Sequence, residues 1–521
     1  MNPRVASAFA LLPDYLGWHV LLSFSALLLG VLISLPLAIA AARSPRLRWP
    51  VLAGASLIQT IPSLALLALF YPLLLAISAL VRSATGHGFS ALGFLPSLLA
   101  LTLYSMLPIL RNGAAAILGV DPAIREAADG VGMTSAQKLW RVELPLAAPV
   151  IMAGVRTAAV WTIGAATLST PVGQTSLGNY IFAGLQTENW VYVLFGCAAS
   201  AALALVADQL LGLIEAGARK RSLPLVAAGA VGLLIGVSAA VTPLAAPLVG
   251  VGQPATYVVG AKNFSEQYIL AEVMADRLKA TGAKVTPKED LGSAVAYRAL
   301  AAGELDVYVD YSGTLWTNTL GRKDNPGRAE VLKQLTAELK RRDGVVVLGS
   351  LGFENAYALT MRPDRAKALN IATIADLARE APKLTLGSDL EFLSRPEWKA
   401  VQGAYNLNFK AQHSYQPTFM YRALSGAEAD VISAFSSDGR IAADHLVVLS
   451  DPKGAIPPYD AVVLISPKRA GDRKLVEALT PLIGKITVEA MRSANYSVDR
   501  DQAKASPAEA AKALEKSLSL P

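Results

Sequence analysis

The chain has one cysteine, Cys197, and four histidines in 521 residues. A lone cysteine cannot form an internal disulfide, and no Cys/His cluster has the spacing of a zinc site. No G-x-x-x-x-G-K-[ST] phosphate loop occurs, so nucleotide hydrolysis by this chain is not expected. Charge is scarce, 17% of residues against 53% hydrophobic. The scarcity is uneven: the first half has long runs with almost no charge, and from about residue 255 the composition is that of an ordinary globular domain. The net charge of +7 comes without basic patches interleaved with aromatics, which argues against a nucleic-acid partner. The length exceeds one domain at roughly 100–200 residues each.

What is abundant is apolar sequence. Runs long enough to span a bilayer, about twenty residues, lie near 16–41, 51–80, 90–110, 146–168, 190–216 and 223–250. The first lacks a clear small-residue cleavage site and reads as a membrane helix, not a signal peptide. Arg43, Arg46 and Arg48 follow the first run; Arg111, Arg125, Lys138 and Arg141 follow the third; Arg219, Lys220 and Arg221 follow the fifth. The other loops are poor in Lys and Arg. Positive charge stays on the cytosolic side, so the N-terminus is expected outside and the loop after the third run inside. The sixth run then returns the chain to the outside.

The longest polar interruption is Glu126-Ala127-Ala128-Asp129-Gly130-Val131-Gly132, closed by Val142-Glu143-Leu144-Pro145. Asp121-Pro122 can cap and open a helix, and the glycines permit a tight turn. The local pattern predicts a short helix, a glycine turn and a second helix ended by Pro145. By itself it is equally an ordinary cytosolic loop. Its spacing, however, resembles the coupling loop of permease subunits of ATP-binding cassette importers, with Val142 where isoleucine is usual. Gln59-Thr60-Ile61-Pro62-Ser63, Leu107-Pro108-Ile109-Leu110-Arg111-Asn112 and Gly154-Val155-Arg156-Thr157-Ala158 resemble the branch that carries glycine betaine, choline and carnitine. The resemblance covers roughly residues 15–218. It implies that two short helices dock on a separate ATPase, with Glu126, Ala127, Ala128, Gly132, Leu144 and Pro145 as the matched coupling positions.

From Thr256 the pattern is α/β. Thr256–Gly260, Leu305–Val309, Val345–Leu348, Lys383–Leu386, Asp430–Ile432 and Ala461–Ile465 read as short strands, mostly with helical stretches between them. Mainly parallel sheets in two lobes are expected. The words Gly260–Gln267, Asp310–Thr314, Gly352–Leu359, Glu391–Arg395, Phe435–Arg440 and Pro457–Tyr459 resemble the extracytoplasmic binding proteins of the same osmoprotectant importers. That resemblance implies a hinged, two-lobed fold clamping its ligand. A quaternary ammonium has no N–H to donate, and aromatic faces hold it by cation–π attraction. By resemblance the cage is Tyr311, Tyr357, Phe435 and Tyr459. Phe435 replaces a tyrosine, keeping the π face and losing the hydroxyl. Asn355 stands where a backbone carbonyl approaches the methyl groups, and Lys262, Thr314 and Arg395 stand where a carboxylate is held. Tyr297, Tyr421, His413 and Tyr415 read as structural.

The fold expected is therefore an all-α polytopic membrane domain of six helices, then an α/β two-lobed domain like periplasmic binding proteins. Residues 1–222 form the permease with its coupling loop at 111–145. Residues 223–254 form the sixth helix and linker, and 255–521 the binding domain. The chain itself binds no cofactor; ATP is used by a partner ATPase. A permease homodimer, a small quaternary ammonium solute and the bilayer are the other expected partners. The place is a prokaryotic cell membrane, with the binding domain outside. A membrane-anchored sensor is the alternative, but a sensor needs no ATPase dock. An enzyme in the lobe cleft would need a paired nucleophile and base, and the matched words contain none.

Overall fold

The residue before a proline is driven out of the helical region, and the second apolar run contains Ile61-Pro62. In the computed structural model Ile61 is extended, with φ −74 and ψ 126. The run therefore divides: α1 (Pro3–Arg43) is followed by α2 (Pro45–Thr60) and then α3 (Ser63–Thr85). The structure describes residues 3–85, 89–186, 189–245, 256–322, 324–415, 417–500 and 502–518. The expected linker after the sixth run, 246–255, lies outside these. The chain forms two compact units, 1–182 with 191–251 and 252–521 with 183–190.

In the first unit α4 (Phe94–Leu118) leads through the short helices α5 (Pro122–Gly130) and α6 (Ser135–Lys138) to α7 (Leu144–Ala166). α8 (Gly178–Gln186), α9 (Trp190–Lys220) and α10 (Leu223–Ala245) complete it. Among the described residues six helices are long and apolar enough to cross a membrane, in keeping with the six runs in the sequence. Ile109 and Ile117 of α4 pack with Ile151, Val155 and Ala158 of α7, flanked by Leu27, Val31 and Leu35 of α1. A methyl group on Gly154 would lie 2.9 Å from the Pro108 carbonyl oxygen and 2.7 Å from Asn112 Cβ. Close backbone approach of this kind is how membrane helices gain packing. Arg156 on α7 donates to Asp208 at 3.0 and 2.8 Å and to Glu215 at 2.6 Å, both on α9, so this charge within a spanning helix is paired.

The second unit has two five-stranded sheets. One is ordered β2 (Lys284–Leu291), β1 (Thr256–Lys262), β3 (Val307–Tyr311), β10 (Asp460–Ile465), β4 (Val346–Glu354). The other is ordered β7 (Ala411–Tyr415), β6 (Thr385–Asp389), β8 (Val431–Phe435), β5 (Tyr357–Met361), β9 (Val447–Val448). In each sheet four strands run the same way, as expected, but one, β10 in the first and β5 in the second, runs against them. The sheets are thus mixed, because the chain passes directly between lobes at 355–356 and 449–459, without the helical crossover that parallel pairing needs. The strands that the sequence pattern misses include β2 and β7, polar edge strands with no buried alternation to read.

Asp306 fastens the start of β3 to β1 and to the turn after β10. It is buried, accepts the Val258 N–H at 2.8 Å and pairs with Arg469 at 2.9 Å. Asp306→Ala should lower the stability of the binding domain by about 3 kcal/mol, since it leaves the Val258 N–H without its acceptor and takes one carboxylate from Arg469, which keeps Asp472 and the Thr256 carbonyl. Thermal unfolding followed by circular dichroism checks this; a loss under about 1 kcal/mol would contradict it.

Candidate functional site

The strand ends and lobe crossings decide what faces the cleft. Tyr311 is the last residue of β3, Phe435 the last of β8 and Tyr357 the first of β5. Tyr357 and Phe435 are direct register partners, with ring centroids 5.1 Å apart. Tyr459 precedes β10 at the second crossing and meets Tyr357 edge-on at 5.8 Å. At the first crossing the Asn355 N–H donates to the Tyr459 carbonyl at 2.9 Å, tying the two crossings together. Lys262, Tyr311, Thr314, Asn355, Tyr357, Arg395, Phe435 and Tyr459, the eight positions named from sequence, all line one cleft of about 490 Å³.

Residues that the sequence reading passed over line it as well. Phe264 stacks on Tyr311 at 6.2 Å and lies parallel to Phe435 at 6.3 Å, adding a fifth ring. Tyr415, read from sequence as structural, is on the cleft wall with Ser414, Ser293, Asn263 and Asp389. It ends the polar strand β7, where no local pattern separates a cleft residue from a surface one. Tyr297, by contrast, is buried with its hydroxyl on Asp343.

The charged groups are paired. The Lys262 ammonium binds the Asp310 carboxylate and lies 5.1 Å over the Tyr311 ring. The Arg395 guanidinium lies 3.5 Å from Glu397, 5.2 Å over the Tyr357 ring, and donates to Thr314 Oγ1 at 3.3 Å. Glu397 also accepts from the Tyr459 hydroxyl and from Thr317 Oγ1, the latter at 2.8 Å, and so joins the lobes. Glu266 accepts from the Tyr311 hydroxyl at 2.6 Å, Asn355 at 3.0 Å and Asn495 at 2.9 Å. Burial raises its carboxyl above the usual range, only partly offset by those donors. Burial, with Glu266 and Glu397 nearby, holds the Tyr311 and Tyr459 hydroxyls protonated well above the usual phenol range. Lys262, Arg395 and Asp389 are the charged residues on the cleft lining, and Asp310 and Glu397 behind it pair the two cations.

The polar interruption of the membrane unit has its own geometry. Asp121 caps α5, accepting from Ala123 N at 2.9 Å. Gly132 makes the turn with φ +78, a conformation that suits glycine. Thr134 and Gln137 form a reciprocal capping box on α6. Lys138 reaches back to Asp129 at 2.6 Å. Glu126 and Ala127 are exposed and Ala128 is buried. Val131 and Trp140 are 74% and 70% exposed, an apolar surface on an otherwise polar segment. The expected stop at Pro145 does not occur. A π-turn over Leu139–Glu143 runs straight into α7, with Leu144 and Pro145 as its first residues, where a missing N–H breaks no helical bond.

Residues 255–516 match the family described as the substrate binding domain of ABC-type glycine betaine transport systems. Residues 30–220 match the inner membrane component of binding-protein-dependent transport systems. The ergothioneine transport permease/ergothioneine binding protein EgtU of Helicobacter pylori (strain G27) is 28% identical over 494 residues, 91% of this chain and 84% of that protein. The choline transport system permease protein OpuBB of Bacillus subtilis (strain 168) is 41% identical over 197 residues, 38% of this chain and 83% of that protein. A crystal structure of a glycine betaine/carnitine/choline ABC transporter is 27% identical, covers 50% of this chain and 98% of its own, and superposes with TM-score 0.44.

Near the cleft, Asp290 is the last residue but one of β2, shortly before Ser293. It is buried, takes a hydrogen bond from the Tyr268 hydroxyl, and has φ +63. Burial pushes its carboxyl from 3.8 up to about 6. A raised folded value means that the stability it contributes is present below about pH 4 and is lost as the pH rises through 6. Asp290→Asn keeps the acceptor and the backbone conformation but cannot ionise. The melting temperature of the variant minus that of the parent should therefore climb between pH 4 and 7; a flat or falling difference would contradict the burial.

Proposed function

The chain belongs to the substrate-binding family of ABC-type glycine betaine transport systems, joined to an importer permease, and we propose that it captures and imports a trimethylammonium zwitterion. The observation that carries this is the set of neutral aromatic rings, Phe264, Tyr311, Tyr357, Phe435 and Tyr459, around a cleft that also presents Lys262 and Arg395. The rings take the methylated cation through their faces, and the two cations with Thr314 take the carboxylate. Residues 122–145 dock a cytosolic ATPase, through Glu126, Ala127, Ala128 and Gly132 and the start of α7 at Leu144 and Pro145. That partner hydrolyses the ATP, for which this chain has no phosphate loop. A homodimer supplies two docks and two tethered binding domains, and the tether keeps capture local to the permease. A sensor role leaves the dock without a purpose.

A second reading concerns the size of the solute. The cleft is also lined by Ser293, Asp389, Ser414 and Tyr415, polar groups that neither the aromatic cage nor the carboxylate contacts use. Ergothioneine, named for the Helicobacter pylori relative, joins a trimethylammonium carboxylate to a polar ring and would use both parts.

Titration of purified protein with glycine betaine, carnitine, ergothioneine and choline tests both. Tyr357→Ala should weaken every one of them, by roughly thirtyfold for a contact of ~2 kcal/mol, and Tyr357→Phe by much less. Arg395→Ala should weaken the carboxylates strongly and choline little. No loss in Tyr357→Ala would remove the aromatic cage. Equal losses for choline and the carboxylates would remove Arg395 from its role.

A further inference from the structure

Glu143 is a buried carboxylate in a segment whose other acids, Asp121, Glu126 and Asp129, are exposed. It sits at the last position of the π-turn, directly before α7. Its two oxygens meet arginines from two different elements. Oε2 accepts from Nη2 of Arg43, the last residue of α1, at 2.7 Å. Oε1 lies 3.6 Å from Nε of Arg125 in α5. Arg125 in turn donates to the Ile117 carbonyl, and to that of Leu118 at 3.1 Å, at the C-terminal end of α4. One carboxylate therefore connects the ends of α1, α4, α5 and α7.

The connection has mechanical content. α5 and α6 are short, exposed on much of their surface, and held to the membrane helices by few elements. A displacement of α5 acts on Arg125 first. Arg125 is tied to α4 by its carbonyl bonds and to Glu143 by charge, and Glu143 is continuous with α7 through the backbone and tied to α1 through Arg43. A neutral side chain of the same shape could fill the space but could not hold two guanidinium groups at once.

We propose that Glu143 is a positioning residue for energy coupling, making α1 and α7 follow the coupling segment when a bound ATPase moves it. The inference rests on the reading of residues 122–145 as the ATPase dock.

The test uses the full chain reconstituted with its cognate ATPase in proteoliposomes, scoring solute taken up per ATP hydrolysed. In Glu143→Gln the uptake per ATP hydrolysed should fall at least tenfold. Arg43→Gln should lower the ratio in the same direction, and Arg43→Lys, which keeps the charge, should stay within about threefold of the parent. A merely structural role would lower the amount of assembled complex and leave the ratio unmoved. An unchanged ratio in Glu143→Gln overturns the inference; should that variant fail to assemble, equal ratios for Arg43→Gln and Arg43→Lys overturn it. If the parent chain does not hold the ATPase at all, the dock reading fails, and the inference with it.

Discussion

Burying charge costs several kcal/mol per ion unless a partner replaces the lost water. The cleft buries six ionisable side chains: Lys262, Glu266, Asp310, Asp389, Arg395 and Glu397. Most of its internal order follows from satisfying them. Lys262 takes Asp310, Arg395 takes Glu397 and Thr314, and Glu266 is ringed by Tyr311, Asn355 and Asn495. The same bonds orient the rings. The Tyr311 hydroxyl points at Glu266 and that of Tyr459 at Glu397, so their polar ends are occupied while both rings line the cleft. A guest without N–H donors leaves this network undisturbed, whereas its carboxylate competes for Lys262 and Arg395. On the proposed reading the cleft selects in two independent ways, by faces for the cation and by paired charges for the anion.

How much of this was legible in the sequence depends on the kind of signal. Tyr311, Tyr357 and Tyr459 sit inside distinctive words, and the cleft brings them together. Phe264 sits inside such a word as well, yet nothing in its spacing marks it as a cleft ring; only the packing of β1 against β3 places it on Tyr311. Tyr415 ends an edge strand of consecutive polar residues, where cleft and surface positions look alike. Arg43 is legible as a topology marker, since its charge follows an apolar run, but its pairing with Glu143 depends on two helices that lie 100 residues apart. The π-turn before Pro145 was not legible, because proline reads equally as the end of one helix or the first turn of the next. The antiparallel strands escaped for a topological reason, as strand periodicity carries no direction.

The two halves obey different solvents. In the membrane unit small residues and paired charges do the packing, as at Gly154 against Pro108 and Arg156 against Asp208 and Glu215. In the binding unit apolar burial under mixed sheets does it, and charge is spent at the cleft. Carrying both on one chain keeps a binding domain at every permease, without dependence on a separate diffusing partner.

The central claim, that the cleft recognises a methylated ammonium by aromatic faces, is tested most directly by one comparison. Calorimetric titration of the purified chain would set each trimethylammonium carboxylate beside its unmethylated amine, which differs only in the methyl groups. The account predicts that the methylated member of each pair binds at least tenfold more tightly, because an ammonium with N–H groups must surrender hydration that rings cannot replace. Equal affinity for the two members, or preference for the amine, would contradict it.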